Sequence, residues 1–169
     1  RCGVRRLLRT MATDERSIVA TGDRGRFLPS PGGEPGASAP GRATEGATVE
    51  GVIERVESRH GVLTRASRGR EHVLVANVDQ SAFIVSLVEP ELKPHLIDRY
   101  LAGAEKGGVR PILCLNKADR VDPADYQAIV GMYSQLGVPT FLTSATTGLG
   151  VGQLRERLRG RETVFSGRS

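Results

Sequence analysis

The alternation of apolar runs with segments of helical period after residue 80 is the feature that most constrains the fold. Apolar runs predict strands over 82–88, 110–115, 140–143 and 162–165. The intervening segments predict a helix that ends at Gly107, a second from Asp122 to Leu136 and a short third over 152–159. This alternation is typical of a parallel sheet with helices on both faces. Such sheets bind ligands at the carboxyl ends of their strands.

Apolar residues recur on one side of each helical segment, so those sides are expected to face the core. The expected core residues are Leu96 and Tyr100 on the first helix, and Ile129 and Met132 on the second. Cys114 lies within an apolar strand and is expected to be buried there.

The first 80 residues have a different pattern, with short β-like stretches and no extended helical period. The stretches 4–8, 17–20, 23–28, 49–56, 61–65 and 72–78 predict strands of a small β-barrel or of part of one. Between them, residues 29–41 include eight Pro or Gly in thirteen positions, which predicts a flexible surface loop. We therefore expect one domain over 1–80 and a second, α/β domain over 81–169.

Charge and cysteine content limit the partners, the compartment and the metal sites that we expect. The net charge is +5, and of the 24 basic residues all but Lys93, Lys106 and Lys117 are arginine. This balance is typical either of a polyanionic partner or of an arginine-rich proteome. No apolar run approaches the ~20 residues of a membrane span, the two cysteines are too few for a disulfide framework, and the three histidines show no metal-ligand spacing. We expect a cytoplasmic protein without a membrane partner or a metal site in this chain.

The loop after the second predicted α/β strand reads Asn116-Lys117-Ala118-Asp119. A carboxylate at Asp119 can accept two parallel hydrogen bonds from the ring N–H and the exocyclic amine of guanine. Asn116 can reach the other edge of the base, and the methylene stem of Lys117 can lie across the ring. Adenine lacks this donor pair, and an unpaired buried carboxylate costs about 1–3 kcal/mol. The alternative is an ordinary capped turn that leads into a helix.

Two further loops follow neighbouring predicted strands. Residues 143–148 are small and polar, and the N–H of Ala145, next to Ser144, is placed to donate to the guanine carbonyl oxygen. The last predicted strand leads into Gly167, Arg168 and Ser169, which matches the start of a phosphate-binding loop. Together these loops predict a GTP site in which the base-reading loops precede the phosphate loop.

With this loop order, the sequence resembles the circularly permuted GTPases that depend on the small ribosomal subunit. Segments 21–24, 51–54 with 62–65, 76–80, 97–101 and 160–169 are similar to motifs of that family in the same order. The resemblance implies a β plus α/β fold: a partial OB-fold barrel, which contacts ribosomal RNA, followed by the first part of a permuted P-loop GTPase domain.

The resemblance also implies an activity. Family members bind and hydrolyse GTP with Mg²⁺ in late maturation of the small ribosomal subunit, and they carry a C-terminal zinc domain. By this comparison the chain is truncated at both ends, and the phosphate-binding Lys, the Mg²⁺ ligands and the zinc domain lie beyond Ser169. We therefore expect a monomer that holds no catalytic residue, binds guanine at most weakly and does not turn over GTP unless it is extended.

A second interpretation is a non-catalytic RNA-binding OB module that carries a degenerate nucleotide-binding fold. A continuation into G-x-G-K-[ST] after Ser169 would favour the GTPase. RNA contact would use an arginine patch, for which the alternative is ordinary solvated strand faces. Its members are Arg1, Arg5, Arg6, Arg9, Arg55, Arg59, Arg65, Arg68 and Arg70.

Overall fold

The amino-terminal part of the chain consists of β-strands in the computed structural model, which describes residues 2–4, 19–29, 51–67 and 69–167. One sheet has the order β1-β3-β2, with β3 parallel to β1 and antiparallel to β2. A separate antiparallel hairpin joins β4 to β5. The strands are β1 Cys2–Val4, β2 Gly25–Pro29, β3 Gly51–Val56, β4 Leu63–Ser67 and β5 Arg70–Val75.

The strand-rich character predicted for this part is confirmed, with two corrections. Val19 and Ala20, the described end of the predicted strand 17–20, are not in a strand. The other correction falls at the proline- and glycine-rich segment. Pro29, predicted to open the loop, is instead the last residue of β2 because it pairs with Gly51 of β3. The rest of that segment, residues 30–41, lies outside the described residues.

The remainder of the chain forms a four-stranded parallel sheet of order β8-β7-β6-β9. The chain runs from β6 outward through β7 to β8 and then crosses back to place β9 on the other side of β6. The elements are β6 Gln80–Ser86, α1 Pro94–Lys106, β7 Arg110–Asn116, α2 Gln127–Gln135, β8 Thr140–Thr143, α3 Val151–Leu158 and β9 Thr163–Gly167.

The second helix begins later than predicted. Asp122 does cap a helical turn, since its Oδ1 accepts from the N–H of Ala124 at 2.9 Å. That turn, Pro123–Tyr126, is a 3₁₀ turn, and the α-helix starts only at Gln127. Tight turns of this kind are frequent at helix N-termini, so the capping residue is confirmed while the α-helical winding directly after it is not.

The sheet carries helices on both faces, as predicted. On one face, α1 and α2 cover a buried cluster that includes Phe83, Ile97 and Tyr133. On the other face, Leu154 and Leu158 of α3 pack against the cluster of Ala82, Ile112 and Cys114. A crossover that changes face where the strand order reverses is typical of doubly wound sheets.

Of the predicted core positions, Met132 is wrong, and Leu96 belongs to neither core cluster. Cys114 is fully buried, and Tyr100 stacks on Phe83 with ring centroids 5.0 Å apart. Leu96 and Ile129 are partly buried. Met132 is 46% exposed, because α2 turns Tyr133 rather than Met132 toward the sheet, where its hydroxyl donates to Asp98 Oδ1 at 3.0 Å.

A buried ion pair ties the amino-terminal strands together. The Asp23 carboxylate, 2% exposed, accepts from Arg59 Nε at 2.7 Å and Nη2 at 2.8 Å, and from the N–H of Ala20 at 2.7 Å. Burial raises the pKa of Asp23, but the hydrogen bonds from Arg59 and from the N–H of Ala20, together with the charge of Arg59, outweigh it, so the pKa lies below its ordinary value. Arg59 therefore has a structural partner and is not an open member of the predicted arginine patch.

Replacing Asp23 by Asn should destabilise the chain strongly, because it removes the buried carboxylate that accepts from Arg59 and from the N–H of Ala20. Breaking such a pair costs about 3–5 kcal/mol, measured here by urea unfolding at neutral pH. The lowered pKa makes the stabilisation complete above the unfolded value of about 3.9 and progressively lost as pH falls through the folded value. The Asn variant should therefore lack most of this acid-dependent loss.

The matched control is Glu162→Gln, which removes the exposed 3.4 Å pair with Arg24. Exposed pairs contribute about 0–1 kcal/mol. Equal losses in the two variants would contradict the role assigned to Asp23.

Candidate functional site

The two predicted base-reading loops begin side by side at the carboxyl edge of the sheet. Asn116 ends β7 and Thr143 ends β8, and the two are register partners in the parallel pairing of these strands. The predicted loop residues that follow each strand therefore leave the sheet at the same edge. Strand register therefore sets the starting points of the two loops side by side.

The end of β9 reaches the same edge on the far side of β6. Gly167 is the last residue of β9 and pairs with Ile84, and a Cβ at this glycine would lie 2.5 Å from the Ile84 carbonyl oxygen. Only glycine fits this close approach without a shift. Strand order reverses between β6 and β9, which is where such sheets form a binding crevice. Arg168 and Ser169 lie outside the described residues.

The loop after β7 is a tight turn that buries one residue and exposes the next. Lys117 has φ 67° and ψ 34°, a left-handed conformation that is uncommon for a residue with a side chain. The chain then forms a 3₁₀ turn over Ala118–Arg120. Ala118 is 2% exposed and packs in the core, whereas Asp119 is exposed. The burial of Ala118 thus fixes the turn that presents the Asp119 carboxylate to solvent.

The loop after β8 is closed by its own hydrogen bonds. The N–H of fully buried Ser144 donates to Leu149 O at 3.0 Å, and the N–H of Gly148 donates to Ser144 O at 3.0 Å. Ser144 Oγ also accepts from the N–H of Thr147 at 3.2 Å. Ala145 is exposed, and within the described residues its N–H has no hydrogen-bond acceptor. The loop therefore offers the Ala145 N–H as a main-chain donor from a rigid frame.

Hydroxyl groups connect the two loops. Thr143 Oγ1 donates to Asn116 Oδ1 at 3.4 Å, and Thr146 Oγ1 donates to Asp119 Oδ2 at 3.4 Å. Ser144 Oγ lies 3.2 Å from Thr146 Oγ1 and extends this chain. Sequence reasoning missed Thr143 and Thr146, although both belong to the small polar segment that it singled out. The structure makes Asn116 and Asp119 members of one hydrogen-bonded unit with the second loop.

The same hydroxyls also lower the pKa of the Asp119 carboxyl. Hydrogen bonding to Ser144 is the largest influence on its carboxyl and lowers the pKa, with smaller lowering contributions from its own N–H, from Thr146 and from the nearby charge of Arg120. Partial desolvation acts in the opposite direction but does not prevail. An ionised carboxylate accepts hydrogen bonds only and has about four lone-pair sites. Asp119 therefore retains acceptor capacity for a ligand with two parallel donors.

A third loop, which sequence reasoning did not consider, contacts the first. The N–H of Leu87 donates to Asn116 O at 3.0 Å, and Lys117 Nζ donates to the main-chain oxygen of Glu89. The Glu89 carboxylate pairs with Arg120, with Nη1 and Oε2 2.5 Å apart. Only its position could have indicated this loop from the sequence, because Glu89 follows the carboxyl end of β6, the strand next to β7.

No group of three or more His, Cys, Asp or Glu side chains in the described part of the chain is arranged to hold a metal ion. In that same part, no helix is both long enough and apolar enough to cross a membrane.

A family model for RsgA GTPases matches residues 56–169. The chain belongs to the RsgA GTPase family. This confirms the resemblance to circularly permuted GTPases of the small ribosomal subunit. Relatives named small ribosomal subunit biogenesis GTPase RsgA include one from Chlorobaculum tepidum, 36% identical over 168 residues, and one from Sodalis glossinidius, 32% identical over 173 residues. The alignments cover 95% and 100% of this chain but 50% and 44% of the relatives. The chain thus spans about half the length of these RsgA proteins.

Solved structures of similar proteins agree with the RsgA assignment. The crystal structure of YjeQ from Thermotoga maritima has a TM-score of 0.66 and 30% identity, covering 99% of this chain and 51% of that one. The structure of YloQ, described as a circularly permuted GTPase, has a TM-score of 0.56 and 27% identity, covering 71% of this chain and 41% of that one. Amino-terminal strands followed by a four-stranded parallel sheet with helices therefore match a known RsgA-type fold.

Proposed function

We propose that this chain carries the guanine-reading part of a GTPase that acts in late maturation of the small ribosomal subunit. Membership in the RsgA GTPase family supports the activity, and the names of the relatives support the setting. The observation that carries the proposal for this chain is the hydrogen-bonded pair of loops at one sheet edge, joined through Thr146 and Asp119. The proposed base-binding residues are Asn116, Lys117, Ala118, Asp119, Ser144 and Ala145.

Each of these residues has a distinct proposed task. Asp119 accepts from the ring N–H and amine of guanine, which supplies selectivity against adenine. The N–H of Ala145 donates to the guanine carbonyl oxygen. Asn116 braces the two loops, and the stem of Lys117 covers the ring. Buried Ala118 and Ser144 hold the turns in shape.

The phosphate side of the site is proposed to begin at Gly167, Arg168 and Ser169. Phosphoryl transfer depends on positioning and on neutralising charge at the β- and γ-phosphates with a loop lysine and Mg²⁺. We assign no catalytic residue, Mg²⁺ ligand or zinc ligand within residues 1–169. Hydrolysis is therefore proposed for the complete, cytoplasmic and monomeric protein, while this chain alone contributes base recognition.

We further propose a domain division near residue 80, with the amino-terminal strands forming part of an OB-fold that contacts ribosomal RNA. Arg26 and Arg55 support this assignment, because they are register partners on β2 and β3 and both are exposed. Like charges directly opposite one another on a sheet repel. A phosphate backbone would relieve that repulsion, which favours a polyanion over other partners.

Exchanging Asp119 for Asn should change the base preference from guanine to xanthine. Xanthine carries a carbonyl oxygen where guanine has its amine, so an Asn amide can donate there while its oxygen accepts the ring N–H. We expect GTP hydrolysis and GDP affinity of the full-length protein to fall by about a hundredfold or more, the size of loss that follows when a hydrogen-bonding site is left unpaired. XTP and XDP should restore both, measured by phosphate release and by calorimetry.

The control for this exchange is Asp125→Asn, which alters an exposed carboxylate in the neighbouring 3₁₀ turn. This control variant should leave the preference for guanine over xanthine nucleotides unchanged. The absence of guanine binding by the wild type, or a loss in Asp119→Asn that xanthine nucleotides do not restore, would contradict the proposed reading.

Replacing Arg26 and Arg55 together by Gln should weaken binding to ribosomal RNA and reduce its salt dependence. The slope of log K against log salt should become shallower by roughly 0.7 to 0.9 for each phosphate that the protein no longer neutralises. Arg155→Gln, an exposed change on α3, serves as the control. Identical slopes for the double variant and the wild type would exclude these two arginines from the RNA interface.

A further inference from the structure

The ion pair between Glu89 and Arg120 lies directly beside the proposed base-reading carboxylate. Arg120 follows Asp119 in the chain, and its Nη1 is 2.5 Å from Glu89 Oε2. We propose that Glu89 is a positioning residue that holds the Arg120 guanidinium away from Asp119 and so keeps this carboxylate available to guanine nucleotides. The inference rests on the proposed function of Asp119.

Guanine and arginine present nearly the same donors to a carboxylate. The ring N–H and amine of guanine form a pair of parallel donors, and the planar guanidinium of arginine presents the same fork. Arginine pairs readily with carboxylates in this bidentate geometry. A guanidinium on the next residue is therefore an internal competitor for the acceptors that guanine needs.

The structure shows this competitor engaged elsewhere. Within the described residues, the ion pair that Arg120 makes is with Glu89 and not with Asp119. The two residues are nevertheless adjacent in the chain, and the charge of Arg120 contributes to lowering the pKa of Asp119. Arg120 thus lies near enough to influence the carboxylate while its hydrogen bond is directed to another partner.

Two hydrogen bonds, each accepted by a main-chain oxygen, fix the position of the loop that carries Glu89. Its carbonyl oxygen accepts from Lys117 Nζ, and two residues earlier the N–H of Leu87 donates to Asn116 O at 3.0 Å. The loop after β6 is therefore attached to the base-reading loop at Asn116 and at Lys117. The Glu89 side chain is 71% exposed and that of Arg120 47% exposed, so the pair can exchange partners in water. Glu89 therefore biases a local competition and is not a buried structural element.

The test compares Glu89→Gln, Arg120→Gln and the double variant in the full-length protein. Glu89→Gln removes the charge but keeps the carbonyl that Lys117 contacts. It should weaken GDP binding by roughly two- to fivefold, the range expected when an exposed ion pair is rearranged. Adding Arg120→Gln should return the affinity to that of the wild type, because the competitor is then absent.

A second readout needs no nucleotide. In Glu89→Gln the released guanidinium should lower the Asp119 pKa further, as followed by carboxyl carbon shifts in an NMR titration, and the double variant should reverse this change. Glu91→Gln, an exposed acidic change two residues along the same loop, is the matched control and should alter neither quantity.

The outcomes separate the inference from the function on which it rests. If the wild type binds no guanine nucleotide, the proposed function fails and the inference fails with it. If the wild type binds GDP but Glu89→Gln binds it equally well, or if the double variant stays as weak as Glu89→Gln, the inference alone is overturned. An unchanged Asp119 pKa in Glu89→Gln would also overturn it.

Discussion

The parallel pairing of β7 with β8 is the constraint on which the site depends. Residues Ile112, Leu113, Cys114 and Leu115 are fully buried between the two helical layers, so a shift of β7 along its neighbours would disrupt the packing of all four. A shift of one residue would turn every side chain to the opposite face. The register therefore sets Asn116 beside Thr143 and makes two loops distant in sequence into one surface.

Buried neighbours determine the geometry of the exposed groups at this surface. Ala118 and Ser144 are almost completely inaccessible, and each lies next to a residue that is open to solvent. Burial of these small residues makes the turns rigid, and hydrogen bonding to the hydroxyls of Ser144 and Thr146 lowers the pKa of the Asp119 carboxyl. A ligand then meets acceptors and a main-chain donor that need little reorganisation.

Much of this arrangement was predictable from the sequence, for reasons that are visible in particular residues. The apolar runs identified all four strands of the parallel sheet, because strands buried on both faces lack polar alternation. The Asn116–Asp119 motif placed the first loop, since parallel strands of one sheet present their carboxyl ends at one edge. What this reasoning could not supply was side-chain direction. Met132 and Tyr133 are adjacent and both apolar in character, and only the structure shows that Tyr133 is the one that is buried.

Ion pairs between residues far apart in the sequence could not be predicted from sequence patterns either. Arg59 resembles the other arginines of the amino-terminal part in sequence, and only the fold brings it to Asp23, 36 residues away. Glu89 carries no motif, and its importance arises from the adjacency of β6 and β7. No sequence period identifies the partner of a charged side chain, so the pairs are seen only in the three-dimensional structure.

The central claim is that the loops after β7 and β8 form a single guanine-reading surface. The most direct test is a two-dimensional ¹⁵N–¹H spectrum of this chain recorded during separate additions of GDP and ADP. The account predicts that the amide signals of Lys117, Ala118, Asp119 and Ala145 shift together with GDP and remain in place with ADP. Equal shifts with both nucleotides, or GDP-dependent shifts confined to other parts of the chain, would contradict it.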